Sequence, residues 1–309
     1  MRLGFPVRVL GSPNLPAYDA RSWSAGPDFS VGLAYLHDIL RYLQARDVHM
    51  YRMHARLAPN PTSLATVARV LSDGSAQLAA LGRLAREAQI RLSFHAPANV
   101  VLNAANEAQA DEAAIRLSSY AAFLDAMELG PEAVVVVHVG GVYDHKEASL
   151  SRFCRRFDAL PGAVRSRLAL EQDDRRFGHV DVHTIYERCG VPLVLDTLHH
   201  QVLNPKGVPL REALQASLAA WPQGVTPKVH FSSPRTEMHP ARGAMRARPP
   251  RWTEHSDLVN PFEFVAFLDL VQGLPPFDIM LEARARDLAV LQLRRDIARF
   301  APCWSATLI

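Results

Sequence analysis

Cysteine is scarce. The 309 residues include three, Cys154, Cys189 and Cys303, and no Cys-x-x-Cys pair. An odd number of distant cysteines makes neither a disulfide frame nor a zinc knuckle, so they read as free thiols of a cytoplasmic protein. Long apolar runs are missing too. Ala133–Val137, as long as any, is stopped by His138, whereas a membrane span needs about 20 residues. The opening Met1–Pro6 has no apolar core of the signal-peptide kind, so export is not expected. There is no P-loop and no Gly-x-Ser-x-Gly elbow, which removes the nucleotide cradle and the serine nucleophile. Charge of one sign is also lacking. The net +3 permits an anionic substrate without requiring one. What is present is a 49% hydrophobic chain, rich enough to bury a core, and thirteen histidines.

Eight short apolar runs recur: 2–7, 48–53, 90–94, 133–139, 167–171, 192–196, 228–231 and 277–282. Each is nearly continuous in apolar character, as expected of parallel strands covered on both faces. Helical periodicity fills the gaps, as in Leu36, Leu40 and Leu43, or Leu210, Leu214, Leu218 and Trp221. Gly130 and Gly190 are placed to end helices, and Asn260-Pro261 to begin one. This alternation predicts an α/β fold, a single (β/α)8 TIM-type barrel over residues 1–300 with a short tail at 301–309. An open doubly wound sheet is the alternative, without the Gly-x-Gly-x-x-Gly fingerprint such a sheet often carries.

Barrel enzymes build their sites at the C-terminal ends of the strands. Those ends carry Arg52 with His54, His95, His138, Glu171, Asp196, Lys228 with His230, and Glu282, with His199 and His255 close behind. Any one of the histidines alone reads as a core or loop residue, and Glu171 or Asp196 as an ion-pair partner or helix cap. The joint pattern points elsewhere. Converging carboxylates repel unless a cation lies between them, and neutral imidazoles complete a nitrogen–oxygen ligand set. Three acids and five histidines could hold two or three divalent ions, the arrangement that serves phosphoester displacement. His37, His49, His179 and His183 read as structural. Residues 235–251 hold Arg235, Arg242, Arg246, Arg248 and Arg251. This loop is either a flexible surface segment or a clamp on a phosphate backbone.

The motifs resemble those of the UV damage endonucleases. They run in order: Arg2-Leu-Gly-Phe-Pro, Tyr51-Arg-Met, Arg91-Leu-Ser-Phe-His95 and Val137-His-Val-Gly-Gly141 with Tyr143. Leu168-Ala-Leu-Glu-Gln-Asp-Asp-Arg175, Leu195-Asp-Thr-Leu-His-His200, Pro227-Lys-Val-His230, His255-Ser-Asp257 and Met280-Leu-Glu-Ala283 complete the series. The resemblance implies a TIM-type barrel with two or three ions, Mn²⁺ first and Zn²⁺ or Mg²⁺ as alternatives. The implied ligands are His95, His138, Glu171, Asp196, His199, His230, His255 and Glu282, the set already reached from the strand ends. It implies hydrolysis of the phosphodiester 5′ to a damaged base in double-stranded DNA. Glu171 would bridge metals, His230 would act in the same centre, and Lys228 (carboxylated in the family) or Arg175 would stabilise the developing charge. The DNA-facing set is Arg52, Tyr143, Arg235, Arg242, Arg246 and Arg248, in a monomer with no obligate protein partner.

The chain also departs from the family. Ala98 and Asn99 stand where a glutamine and an aromatic usually follow the first metal histidine. Phe5 replaces a tyrosine, Gln172 an asparagine, and Arg284 and Arg286 replace lysines. Alanine cannot fill the gap left by an extruded base. Competing readings are a sugar isomerase or epimerase, a small-substrate phosphodiesterase, and a DNA-binding relative that keeps its metals for structure. The first of these uses one ion with about four ligands, fewer than are present.

Overall fold

The computed structural model describes residues 1–12, 15, 29–59, 63–143, 145–238 and 247–309. Eight strands form as expected: β1 (Leu3–Pro6), β2 (Met50–Arg52), β3 (Arg91–His95), β4 (Val135–His138), β5 (Leu168–Glu171), β6 (Leu193–Val194), β7 (Lys228–Phe231) and β8 (Asp278–Leu281). All the pairings are parallel, in the order β6-β5-β4-β3-β2-β1-β8-β7. The two edges meet at one bridge, Asp196 to His230, where His230 N–H donates to Leu195 O at 2.9 Å. The result is a TIM-type barrel. β6 is two residues long because the chain leaves the sheet at Asp196 to start a helix.

Twelve helices surround the strands among the described residues, more than the eight expected. They are α1 (Phe29–Ala45), α2 (Leu64–Asp73), α3 (Ser75–Glu87), α4 (Glu107–Ala126), α5 (Lys146–Ala159), α6 (Gly162–Arg165), α7 (His179–Cys189), α8 (Thr197–Val202), α9 (Leu210–Ala219), α10 (Pro261–Leu270), α11 (Asp287–Phe300) and α12 (Pro302–Ser305). The surplus is α2 beside α3, and the short α6, α8 and α12. The periodic leucines face inward: Leu36, Leu40, Leu43, Leu214 and Leu218 are all buried. Gly190 ends α7 in the left-handed conformation, and the Asn260 side chain accepts from Phe262 and Glu263 N–H to cap α10. Gly130 does not end α4. That helix stops at Ala126, and Glu128 takes the positive φ of 56° instead. The tail packs against the barrel: Leu3 N–H donates to Ile309 O at 2.7 Å and Leu308 is buried. No helix among the described residues is long and apolar enough to cross a membrane.

Strand side chains alternate, so i and i+2 share a face. Inside the barrel this stacks Arg91, Ser93 and His95 on β3, and Lys228 and His230 on β7. On β8 it stacks Asp278 and Met280, with Glu282 just beyond. The lower inner layer of β3, β7 and β8 is therefore polar. Arg91 Nη1 donates to Asp278 Oδ2 at 2.9 Å, and Lys228 Nζ to Ser93 Oγ at 3.3 Å. Below His138, Glu171 and Asp196 the inner wall is apolar: Val134, Val136, Ala169 and Val194 pack with Trp221.

Candidate metal centre

The last inward position of each strand carries the candidate ligands into one cluster. Glu171, ending β5, is buried at its centre. His95 Nε2 lies 2.8 Å from its Oε2 and His230 Nδ1 2.9 Å from its Oε1, with His138 and His199 each at 3.6 Å. Glu282 receives His230 Nδ1 at 3.3 Å and His255 Nε2 at 3.7 Å. Three triads have donor atoms close enough to share an ion: His95, His138 and Glu171; Glu171, Asp196 and His199; and Asp196, His230 and Glu282. His255 stands next to the third. The eight residues expected to be ligands are thus brought together.

Four of the imidazoles are oriented from behind. Nδ1 of His95, His138 and His199 lies against the main-chain oxygens of Ala96, Glu171 and Gln172, at 2.9, 3.2 and 3.0 Å. His255 Nδ1 lies 2.6 Å from Ser232 Oγ. Histidines that bind metals are commonly held this way, by an acceptor at the other ring nitrogen. Asp196 Oδ1 caps α8 by accepting the His199 N–H at 2.9 Å. Its Oδ2 is buried without a partner, and so is His230 Nε2. Two orphaned donor atoms beside two buried carboxylates are what a cation would satisfy, so the residues fit divalent ions.

The electrostatics carry the same strain. Burial raises the Glu171 carboxyl, but His230 and His138 outweigh it and hold it well below the usual range. Glu282 is lowered in the same manner, against burial, by Arg52 and His230. Burial lowers His199, yet Asp196, Glu171 and Glu282 drive it up to about 9. Burial dominates at His138, which is lowered. Burial, with Arg91 and Arg52 nearby, holds the Lys228 amine well below its ordinary value.

The remaining predicted residues are scattered. Arg52 lies inside the cluster, its guanidinium on Glu282. Arg175 is at the rim, largely exposed, 3.6 Å from Asp174. It lines a cleft of about 760 Å³ with Ala98, His138, Tyr143 and His199. Arg235 is buried and paired with Asp257 at 2.9 Å, and Arg248 is paired with Glu254 at 3.0 Å. Arg242 and Arg246 lie outside the described residues. Sequence reasoning missed Gln172 as a clamp: its amide donates to Asp196 O at 2.7 Å and accepts Asp196 N–H at 3.2 Å. Only the pairing of β5 with β6 makes that contact, so no local signal announces it.

Comparison with known proteins decides the family. The family model described as UV-endonuclease UvdE matches residues 30–305. The chain belongs to the UV-endonuclease UvdE family. A UvdE-family relative, the UV DNA damage endonuclease of Halalkalibacterium halodurans, is 31% identical over 278 residues, 86% of this chain and 80% of its own. The crystal structure of SacUVDE superimposes with a TM-score of 0.76 at 25% identity, covering 97% of this chain and 98% of that one. The 3-keto-D-glucoside 4-epimerase YcjR of E. coli matches at 0.57 and 11% identity, covering 98% of this chain and all of that one. Within a UvdE-family chain that last likeness is one of fold alone.

Proposed function

We propose that the protein is a metal-dependent DNA repair endonuclease that hydrolyses the phosphodiester 5′ to a damaged nucleotide in double-stranded DNA. The observation that carries this reading is the ligand cluster. Seven residues form three linked triads of nitrogen and oxygen donors around the buried Glu171 and Asp196, His255 lies beside the third, and Asp196 Oδ2 and His230 Nε2 are left unpartnered, in a chain of the UV-endonuclease family. His95, His138, Glu171, Asp196, His199, His230, His255 and Glu282 would hold two or three divalent ions, Mn²⁺ first, with Zn²⁺ or Mg²⁺ as alternatives. Such ions supply Lewis acidity toward the phosphodiester and toward a water nucleophile near neutral pH.

The chain's own groups do the rest. Glu171, shared between two of the three triads, sets the spacing of the donors on either side of it. Lys228, one layer below His230, holds an amine lowered by burial, and then by Arg91 and Arg52, toward the floor of the site. Arg175 reaches the cleft from solvent, where a guanidinium can hold a phosphate oxygen but cannot trade a proton. Arg248 would meet the backbone farther along the rim, exchanging its bond to Glu254 for one to phosphate.

End-labelled duplexes carrying a UV photoproduct, an abasic site or no lesion test the reading, with Mn²⁺ added. A nick mapped 5′ to the lesion, absent with Glu171→Gln, supports it. No nick on any duplex, from protein shown by elemental analysis to hold its metals, overturns it.

A further inference from the structure

Trp252 is 68% exposed, in the loop after β7 and three residues before His255 of the candidate metal centre. Indoles are mostly buried in soluble proteins because they carry so much apolar surface. The position is nonetheless firmly built. Glu254 N–H donates to Arg251 O at 2.9 Å, which places Trp252 and Thr253 at the apex of a turn. Pro249 and Pro250 precede it and restrict the approach. Arg235 N–H donates to Glu254 O at 2.7 Å, and Arg248 Nη2 to Glu254 Oε1 at 3.0 Å. Pro234 and His255 form an antiparallel bridge, and Ser256 N–H donates to Ser233 O at 3.0 Å. The turn is thereby tied to the end of β7, three residues from His255.

The surroundings define the ligand. The exposed Arg251 precedes Trp252 in the turn and Arg248 is held on Glu254, two residues after it, so a polyanion is favoured at this turn. Among the described residues no ring or guanidinium stacks on Trp252. The other large exposed aromatics among the described residues each have a ring or cation partner: Phe262 and Phe300 lie 5.4 Å apart, and Arg152 sits 5.2 Å over Tyr143. The cleft beside His138 is lined by Ala98, which offers only a methyl group. An exposed aromatic interleaved with arginines is the combination that stacks on nucleobases while holding their phosphates.

We propose that Trp252 is a nucleobase-stacking residue, whose indole enters the base stack of a bound duplex and fills the space left by an extruded nucleotide. This rests on the endonuclease reading. Opening a duplex costs stacking and pairing energy, and an inserted apolar side chain is one way to recover part of it. The charge and the ring then divide the labour. Arg248 and Arg251 draw the backbone in regardless of sequence, and Trp252 stabilises the opened state.

The test uses the metal-loaded full chain on two duplexes, one with a lesion in fully paired DNA and one with the same lesion inside a short mismatched run. W252A should nick the paired duplex about 10- to 100-fold more slowly than wild type, the range expected for one lost base stack. On the mismatched duplex, already open, that deficit should shrink to within about 3-fold, and W252F should recover most of the rate on paired DNA. 2-Aminopurine opposite the lesion should brighten with wild type and not with W252A. Metal content and Tm establish that each variant is folded. Wild-type rates from W252A on paired DNA, or an equal loss on both duplexes, would overturn the proposal. Wild-type protein that neither binds nor nicks any duplex would sink the endonuclease reading itself, a result distinct from these.

Discussion

The Asp196 carboxylate accepts the His199 N–H through Oδ1, while Oδ2 stays buried without a partner. Capping a helix and offering a metal ligand are usually rival explanations of an aspartate at a strand end; here one side chain does the first and is free for the second. Gln172 holds the main chain of Asp196 on both sides. Gln172→Ala should therefore weaken metal retention by about 10- to 100-fold, the usual effect of losing a group that orients a ligand. Competition with a chelator measures it, and unchanged retention would remove Gln172 from the site. His179 makes a pH prediction away from the ligands. Burial first, and then His200 and His183, lower it to about 4 from 6.5. The unfolded chain takes up that proton at higher pH than the folded one, so the contribution is full above 6.5 and is lost as pH falls toward 4. As much as roughly 3 kcal/mol is at stake. Tm of His179→Gln should fall less than that of wild type between those two pH values.

At the scale of elements, helix α3 shows why propensity alone does not choose a residue. Gly82 lies within it, where a Cβ would stand 1.7 Å from Met127 O. The close approach of α3 to the end of α4 requires the missing side chain. Gly82→Ala, favourable by helix propensity, should instead destabilise by about 1–3 kcal/mol through overpacking. Denaturant unfolding decides the sign. The strands were legible as short runs nearly continuous in apolar character, and on β4, β5 and β6 no inward residue is polar before the last. That is why His138, Glu171 and Asp196 stood out, whereas His95 ends a strand that already carries Arg91 and Ser93 on its inner face. The helices were less legible, because α6, α8 and α12 are too short to show a period. Gly130 misled because the left-handed position fell to Glu128, a residue without glycine's conformational licence. Contacts set by register, such as Gln172 on Asp196 or Arg52 on Glu282, have no sequence signature. Trp252 did have one, an aromatic at the end of a run of arginines, but counting the arginines alone passed over it.

For the whole molecule, the net charge of +3 is small, so attraction to a polyanion has to come from its distribution. Arg235 is already buried against Asp257, which leaves Arg248 and Arg251 as the described cations of the loop for phosphate. The slope of log binding constant against log salt should fall by about 1 for each phosphate contact removed. Arg251→Ala should lower it by that amount at any duplex sequence, while Arg235→Ala should show itself in stability instead. In the proposed mechanism the converging strand ends would hold more than one ion, and those ions would be needed to cut damaged DNA. Titrating Mn²⁺ into metal-stripped protein, with bound ions and nicking of a lesion duplex followed together, tests it most directly. At least two ions per chain are expected, with nicking that rises with the second, and neither in Glu171→Gln. Saturation at one ion, or nicking that persists in the stripped protein, would contradict it.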